Sequence, residues 1–222
     1  MQTANGRLFM TTVFSLKREL AASVLVCVFS ITAAAQGVGD IQLPAPQTDG
    51  GRPLMQVLKD RKSTRDFRPD KLSLQTLSNL LWSAFGVNRP DGRRTAPSAS
   101  NKQEIDIYLT TADAVYIYDA KANRLNALLA RDLRAKTGIQ SFVGEAPVNL
   151  VYVADLAKTS SDDLDLGADV GVIAENVYLF CASEGLATVV RGSIDRAALS
   201  KAMALRAKQR IILAQTVGYP SK

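Results

Sequence analysis

The stretch Arg61-Lys62-Ser63-Thr64-Arg65-Asp66-Phe67 places three cations and two hydroxyls together, directly after a short apolar helical pattern. The guanidinium groups of Arg61 and Arg65 can each donate two charge-assisted hydrogen bonds to one anion, and Ser63 adds a hydroxyl and a backbone N–H. A phosphomonoester suits this donor set. A solvated charge cluster that complements the negative end of a helix would have the same composition, so the residues alone leave both interpretations open.

Further motifs follow this stretch in a fixed order. They are Ala96-Pro97-Ser98-Ala99-Ser100-Asn101, a long apolar helical pattern that contains Glu175-Asn176, and the terminal Gly218-Tyr219-Pro220. By composition alone, the first of these is an ordinary turn. Together, and in this order, they resemble the FMN-dependent nitroreductase family from about Pro53 to Lys222.

Other stretches are similar to one branch of that family, which is related to the azoline-oxidising dehydrogenases of peptide modification. These stretches are Leu80-Leu81-Trp82-Ser83-Ala84-Phe85-Gly86, Arg94-Thr95-Ala96-Pro97-Ser98, and Val115-Tyr116-Ile117-Tyr118-Asp119 leading to Leu133-Arg134. The resemblance implies an α+β, nitroreductase-like fold. In such a fold helices flank a central mixed or antiparallel β-sheet, and FMN lies at a homodimer interface.

The resemblance also implies which residues bind FMN. They are Arg61, Lys62, Ser63, Arg65, Pro97, Ser98, Asn101, Gln103, Arg191, Gly192 and Lys222. The residues of the first stretch would hold the phosphate and ribityl end, with Lys62 donating near the O2 atom of the ring. Asn101 and Gln103 would bond ribityl or ring atoms. No catalytic side chain and no metal site is predicted.

Two of these positions depart from the family pattern. The nitroreductases proper carry an acidic residue where this chain has Arg191, beside the backbone expected to face flavin N5. A cation there would stabilise an anionic reduced flavin. Family members usually continue past Gly-Tyr-Pro with a lysine or arginine that reaches the phosphate, whereas this chain stops at Lys222, which could serve in its place.

The N-terminal segment has the pattern of an export signal. Lys17 and Arg18 precede an apolar run over residues 20–35, which ends in the small residues Ala33-Ala34-Ala35. We therefore expect residues 1–35 to be a signal peptide that is cleaved near Ala35, which makes the protein periplasmic or secreted. A membrane anchor is the alternative, although the run is shorter than the roughly 20 residues that a spanning helix needs.

Composition excludes several classes of site. The formal net charge is +6, and removing residues 1–35 takes away three cations and one anion to leave +4. No basic stripe interleaved with aromatics appears, so nucleic acid is not an expected partner. The chain has no histidine, which rules out a Ser-His-Asp triad and the usual zinc sites. A cofactor is therefore expected to supply the chemistry.

The periodicity of apolar residues predicts an extended lead-in over 36–52 and one domain over 53–222. Helices are predicted at 53–61, 73–86, 125–136, 166–183 and 195–205. Strands are predicted at 105–110, 114–119, 148–154, 186–190 and 210–217, and a loop at 87–104. The helix at 166–183 is apolar nearly all round, which indicates burial in the core or, in so small a domain, against a second subunit. Gly167 and Gly171 would permit close approach there.

The resulting hypothesis is an exported, homodimeric FMN-dependent oxidoreductase. It would pass hydride or electrons to a planar, electron-poor small molecule, such as a nitroaromatic or quinone, with ping-pong kinetics. NAD(P)H is one donor, and a donor protein is another, because nicotinamides are expected to be scarce outside the cytoplasm. The alternatives are an azoline-type dehydrogenase, an exported flavin-binding protein without turnover, and a binder of anionic ligands. Tyr116, Tyr118 and Phe142 could stack a substrate or belong to the core.

Overall fold

The computed structural model describes residues 38–221, so the predicted signal peptide and Lys222 lie outside the described residues. Seven strands form one sheet in the order β1-β4-β3-β2-β5-β7-β6, and every pairing is antiparallel. The strands are β1 (Ile41–Gln42), β2 (Ile105–Thr110), β3 (Val115–Asp119), β4 (Arg124–Leu129), β5 (Val148–Asp155), β6 (Ala187–Arg191) and β7 (Gln209–Gly218).

Five α-helices accompany the sheet in the described part of the chain. They are α1 (Leu54–Asp60), α2 (Leu74–Phe85), α3 (Phe142–Glu145), α4 (Asp163–Glu184) and α5 (Arg196–Ala202), with 3₁₀ turns at Ala99–Asn101 and Arg134–Lys136. The predicted α+β class with a helix-flanked sheet is confirmed.

Strand β5 lies at the centre of the molecule, and all eight of its residues are buried. Because successive side chains of a strand point to opposite faces, β5 contributes to two cores. Leu150 and Tyr152 pack on the face covered by α2 and α4. Val151 and Val153 pack on the other face, with Leu199 of α5. This explains why the segment reads as a continuous apolar run rather than as an alternating one.

The two long helices begin and end at residues with clear local reasons. The Ser73 hydroxyl accepts a hydrogen bond from the Thr76 N–H at the start of α2, and the Asp162 carboxylate accepts from two backbone N–H groups at the start of α4. Helix α4 ends at Gly185, whose φ of 70° lies in the left-handed region that glycine adopts without a Cβ penalty.

The predicted helix over 125–136 is wrong. The chain there forms β4, which pairs with β3, and only Arg134–Lys136 turns as a 3₁₀ helix. A tight connection between the two strands explains the difference. The Asp119 carboxylate accepts from the N–H groups of Lys121 and Ala122, and Asn123 adopts a positive φ of 46°. Ladder hydrogen bonds with β3 and β1 then outweigh the helical propensity of the leucines and alanines.

The structure also differs from the prediction at α5 and in the lead-in, and it shows where the aromatic residues Tyr116, Tyr118 and Phe142 pack. Helix α5 is shorter than predicted, and part of the lead-in adds the edge strand β1. Tyr116 and Tyr118 belong to the core. The ring of Phe142 packs against that of Phe67, with 5.6 Å between their centroids.

Candidate functional site

The cationic segment 61–67 runs from the end of α1 along the edge of the sheet. Its first residue ends α1, because the Arg61 N–H bonds to the Val57 carbonyl. The Thr64 N–H then donates to the Thr188 carbonyl of β6 at 2.9 Å. Phe67 is buried and forms an isolated β-bridge with Pro220. The backbone of the segment is therefore fixed at both ends, which restricts the positions of the side chains between them.

Tyr178 of α4 contacts this segment through both its hydroxyl and its ring. Its hydroxyl lies 2.8 Å from the Ser63 hydroxyl and accepts a hydrogen bond from the Val190 N–H of β6 at 3.0 Å. The guanidinium of Arg61 lies over its ring, 5.2 Å from the centroid, where a cation is attracted to the π face. Because the Tyr178 oxygen already accepts from Val190, its own proton can go to Ser63, which leaves the Ser63 proton for a ligand.

The cations of the segment have no acidic partners. Within residues 38–221, Arg61, Lys62 and Arg65 form no ion pair, whereas the nearby Arg52 and Asp60 pair with each other. Of these cations, Lys62 lines a cavity of about 470 Å³, together with Lys59, Asp60, Thr64, Thr188 and Pro220. An excess of positive charge next to a cavity attracts anions.

The second predicted segment, residues 97–103, is fastened to the same helix. The Ala99 N–H donates to the Asp169 carboxylate of α4 at 2.8 Å. Ser100, Asn101 and Gln103 have φ values of 50°, 53° and 49°, which are uncommon for residues other than glycine. Each such residue costs roughly 1 kcal/mol or more, so the conformation persists only because surrounding contacts hold it.

The side chains of this segment bond mainly to one another. The Gln103 N–H donates to the Ser98 hydroxyl, and the Gln103 amide accepts from Arg94 and donates to Asn101 and Gly92. Pro97 and Asn101 are exposed. The polar groups of the segment are thus arranged before any ligand binds.

Helix α4 connects the two segments but does not bring them into one pocket. Asp169 and Tyr178 are nine residues apart, which corresponds to roughly 13.5 Å along a helix. The cavity beside Lys62 is lined by residues near Tyr178 and by none from residues 97–103. In a single chain, therefore, the two predicted halves of the site lie at different points along one helix.

Two carboxyl groups that the sequence analysis did not select lie beneath residues 97–103. Glu104 is fully buried, and within the described residues neither of its carboxylate oxygens has a hydrogen-bond partner. Burial, first, and then the neighbouring Asp169 raise the pKa of Glu104 to about 7. Asp169 is itself buried and holds the Ala99 N–H.

The side chain of Arg191 is bound inside the protein by hydrogen bonds. Its buried guanidinium forms four hydrogen bonds, with the Thr137 carbonyl at 2.7 Å, the Thr137 hydroxyl, the Asn149 amide oxygen and the Thr216 hydroxyl. Burial lowers its pKa to about 10. The side chain thus points into the molecule, and its predicted role beside a flavin ring stays a prediction.

Gly192 and Lys222 complete the predicted set. Gly192 is exposed at the end of β6, and a Cβ there would touch only a leucine side chain at an ordinary 3.7 Å. Packing within the chain therefore does not require glycine at this position. Lys222 lies outside the described residues, so its predicted phosphate contact stays a prediction.

Sequence reasoning missed Tyr178, Glu104 and Asp169, although two of them carried a signal. Tyr178 and Asp169 are polar residues in an otherwise apolar helical pattern, and each faces the interior. A polar group in such a position needs a partner, and here the partners are the two predicted binding segments.

Comparisons with known proteins identify the family of the chain. A protein-family model described as the nitroreductase family matches residues 58–219. A nitroreductase homologue from Methanocaldococcus jannaschii is 31% identical over 155 residues, which are 63% of this chain and 78% of that protein.

Solved structures are similar as well. A crystal structure of a nitroreductase from Ralstonia eutropha JMP134 is 42% identical, with a TM-score of 0.79, and the match covers 84% of this chain and 93% of that one. A structure from Desulfovibrio desulfuricans, described as a nitroreductase in complex with FMN, is 22% identical with a TM-score of 0.59, covering 78% and 89% of the two chains. The second likeness concerns the fold alone.

Proposed function

This chain belongs to the nitroreductase family of oxidoreductases, and we propose that it binds FMN and reduces a planar, electron-poor small molecule. The observation that carries the proposal is the held segment 61–67. Its three cations have no acidic partner in residues 38–221, and its backbone is fixed against β6 and α4 before any ligand arrives.

These residues fit the phosphate end of FMN. With Asp66 included, residues 61–66 carry a net charge of +2, which matches a dianionic phosphomonoester. Arg61 and Arg65 would bond its oxygens, and Ser63 would donate the proton that Tyr178 leaves available. Lys62, exposed beside the cavity, would neutralise charge nearer the ring.

The bound flavin would supply the redox chemistry, taking hydride from a donor and giving it to an acceptor. The protein's own part is to hold and orient. Residues 97–103 present polar groups in a strained conformation that is already formed, which lowers the entropy lost on binding. We propose that donor and acceptor use one site in turn, giving ping-pong kinetics with NAD(P)H or a donor protein. Placement in the azoline-dehydrogenase branch stays a prediction.

We further propose that the active form is a homodimer, with FMN between the subunits. The exposed residues of α4 recur on one face, and they include Leu164, Ala168, Gly171 and Val172. A Cβ at Gly167 or Gly171 would meet no atom within 4 Å. The fold of one chain gives no packing reason for these glycines, whereas the close approach of a partner helix would. A partner could also bring together site segments that one chain keeps apart.

The proposal includes export of the protein. Its support is the charged and apolar pattern of residues 1–35. Mass spectrometry of protein recovered outside the cytoplasm would show Gln36 as the first residue, and a retained N-terminal segment would contradict cleavage.

The first test is flavin binding. Purified protein is incubated with FMN, desalted, and its absorbance recorded before and after anaerobic addition of NADH or NADPH. Retained flavin bands that bleach are expected. Retained bands that do not bleach would point to another donor or to a binding role, and no retained flavin would contradict the proposal.

Substitution then tests the segment itself. Arg61→Ala combined with Arg65→Ala should abolish retention of FMN, because each charge-assisted bond to phosphate is worth about 1.5–3 kcal/mol. The matched control is Lys201→Ala with Lys208→Ala, which removes the same charge from exposed positions elsewhere. Equal loss of flavin in both double variants would show that general charge, not this segment, binds the cofactor.

A further inference from the structure

We propose that Glu104 is protonated and directs its proton to the Asp169 carboxylate, which holds residues 97–103 in their flavin-binding conformation, so that FMN affinity decreases when Glu104 loses that proton. Both act as positioning residues, since neither is placed to touch a ligand. The inference rests on the proposed function for its link to FMN, but not for its link to the conformation of the loop.

The first step is the environment of Glu104. Its side chain is 0% exposed, and both of its oxygens lack hydrogen-bond partners in the part of the chain described. An ionised carboxylate without partners is strongly disfavoured in such a place. The groups that face it are the Asp169 carboxyl from α4 and the Lys158 ammonium from the turn after β5.

Lys158 does not satisfy this carboxylate. Its ammonium bonds Asp106 at 2.9 Å, and its side chain is 41% exposed. Asp169, in contrast, adds a second negative charge next to Glu104. Two buried carboxylates side by side cannot both be ionised at low cost, so Glu104 retains its proton. The raised pKa of Glu104, about 7, agrees with this.

The second step is the division of roles within the pair. Asp169 must remain an acceptor, because its oxygen receives the Ala99 N–H at 2.8 Å. Glu104 is then the group that carries the proton, and its O–H can donate to Asp169. In this state Asp169 keeps its bond to Ala99, and Glu104 gains the partner that it otherwise lacks.

The third step is the effect of losing the proton. Repulsion between two carboxylates is relieved when one moves towards water, and Asp169, 8% exposed, lies nearer to the surface than Glu104. Movement of Asp169 breaks its bond to Ala99. Ser100, Asn101 and Gln103 follow directly, and their positive φ angles persist only while the segment is held. Releasing Ala99 therefore lets the predicted flavin-binding residues relax.

The test compares the wild type with Glu104→Gln, Asp169→Asn and the control Glu145→Gln, which changes an exposed glutamate by the same atoms. FMN dissociation constants are measured from about pH 6 to about pH 8.5. For the wild type and the control we expect affinity to fall with rising pH by on the order of fivefold, as is usual for modest coupling between sites. The amide of the Glu104→Gln variant mimics the protonated acid, so the affinity of this variant should not fall as the pH rises. Asp169→Asn should also remove the pH dependence, with weaker binding at low pH.

A second measurement needs no flavin. The protection of the Ala99 amide against hydrogen exchange is followed in the free protein over the same pH range. We expect protection to fall above about pH 7 in the wild type and to stay constant in Glu104→Gln. If Ala99 behaves in this way but FMN never binds, the carboxyl pair is right and the proposed function is wrong. If wild type and Glu104→Gln give the same profiles for Ala99, the pair does not hold the loop and the proposal is overturned.

Discussion

Tyr178 connects three parts of the chain that are far apart in sequence. Its hydroxyl contacts Ser63 and Val190, and its ring lies under Arg61. The position of the phosphate-binding segment therefore depends on one phenol that does not itself need to touch the ligand.

Tyr178→Phe removes that hydroxyl and keeps the ring. The partly buried Val190 N–H loses its acceptor, so we expect a stability loss on the order of 1–3 kcal/mol. FMN affinity should fall on the order of tenfold, the value of one hydrogen bond, because Ser63 is no longer oriented. Equilibrium urea unfolding and flavin fluorescence titration measure the two effects.

The matched control is Tyr118→Phe, which removes a hydroxyl that donates to Asn123 within the β3–β4 hairpin. This variant should lose stability and keep its FMN affinity. If both variants weaken FMN equally, the effect of Tyr178 is general destabilisation rather than positioning.

At this scale the sequence predicted residues with distinctive chemistry and missed residues whose importance comes from distant partners. Arg61 and Arg65 could be selected because their charges lie together in the chain. Tyr178 could not, since its contact with Ser63 spans 115 positions. Glu104 and Asp169 meet only when α4 packs over the sheet. The guanidinium of Arg191, a residue predicted to lie near a flavin, bonds to Thr137, Asn149 and Thr216. These partners are also distant in the sequence, so the bonds could not be predicted from it.

Among the elements, α4 matters most, because both predicted binding segments are attached to it. Its start is set by Asp162, whose carboxylate accepts from the N–H groups of Leu164 and Asp165. The cap stabilises the first turn, and the residues that follow it lead to Asp169 and then to Tyr178.

Asp162→Ala should therefore lower stability by about 1 kcal/mol, the usual cost of losing an N-cap. Urea unfolding followed by circular dichroism measures this loss. Asp165→Ala is the control, because Asp165 is exposed in the same turn without capping it, and we expect a smaller loss of about 0.3 kcal/mol from the helix dipole. An equal or larger loss in the control would contradict the role of Asp162 as the cap.

Local patterns predicted most elements, and the exception is informative. The strands β2, β3, β5, β6 and β7 and the helices α1, α2, α4 and α5 lie where periodicity placed them. Strand β4 does not, because the leucines at 125, 128 and 129 within it, and the leucine at 133 after it, also match a helical face. Its state is decided by pairing with Val115–Asp119 and by the turn at Asn123, neither of which belongs to the segment's own pattern.

For the whole molecule, the proposed dimer makes the sharpest prediction. Gly171 is exposed on α4, and a Cβ there would meet no atom within 4 Å in the single chain. Gly171→Leu should therefore leave the fold intact, while its bulk separates a partner helix. Analytical ultracentrifugation should show monomer at concentrations where the wild type is dimeric, and FMN retention should fall with it.

Ala197→Leu, which also introduces a leucine at an exposed helical position, on α5, is the control and should remain dimeric. A dimeric Gly171→Leu variant would show that α4 does not form the interface. A monomeric variant that still retains FMN would show that one subunit is sufficient for the flavin.

The buried position of Cys181 makes its thiol a natural probe for the opening of α4. It is the sole cysteine of residues 36–222, it lies on the core side of α4 at 0% exposure, and burial raises the pKa of its thiol. A buried, protonated thiol reacts only when the structure around it opens. The rate of labelling by a thiol reagent under native conditions would thus report how often α4 opens, with no engineered probe. A cofactor bound against that helix should lower this labelling rate.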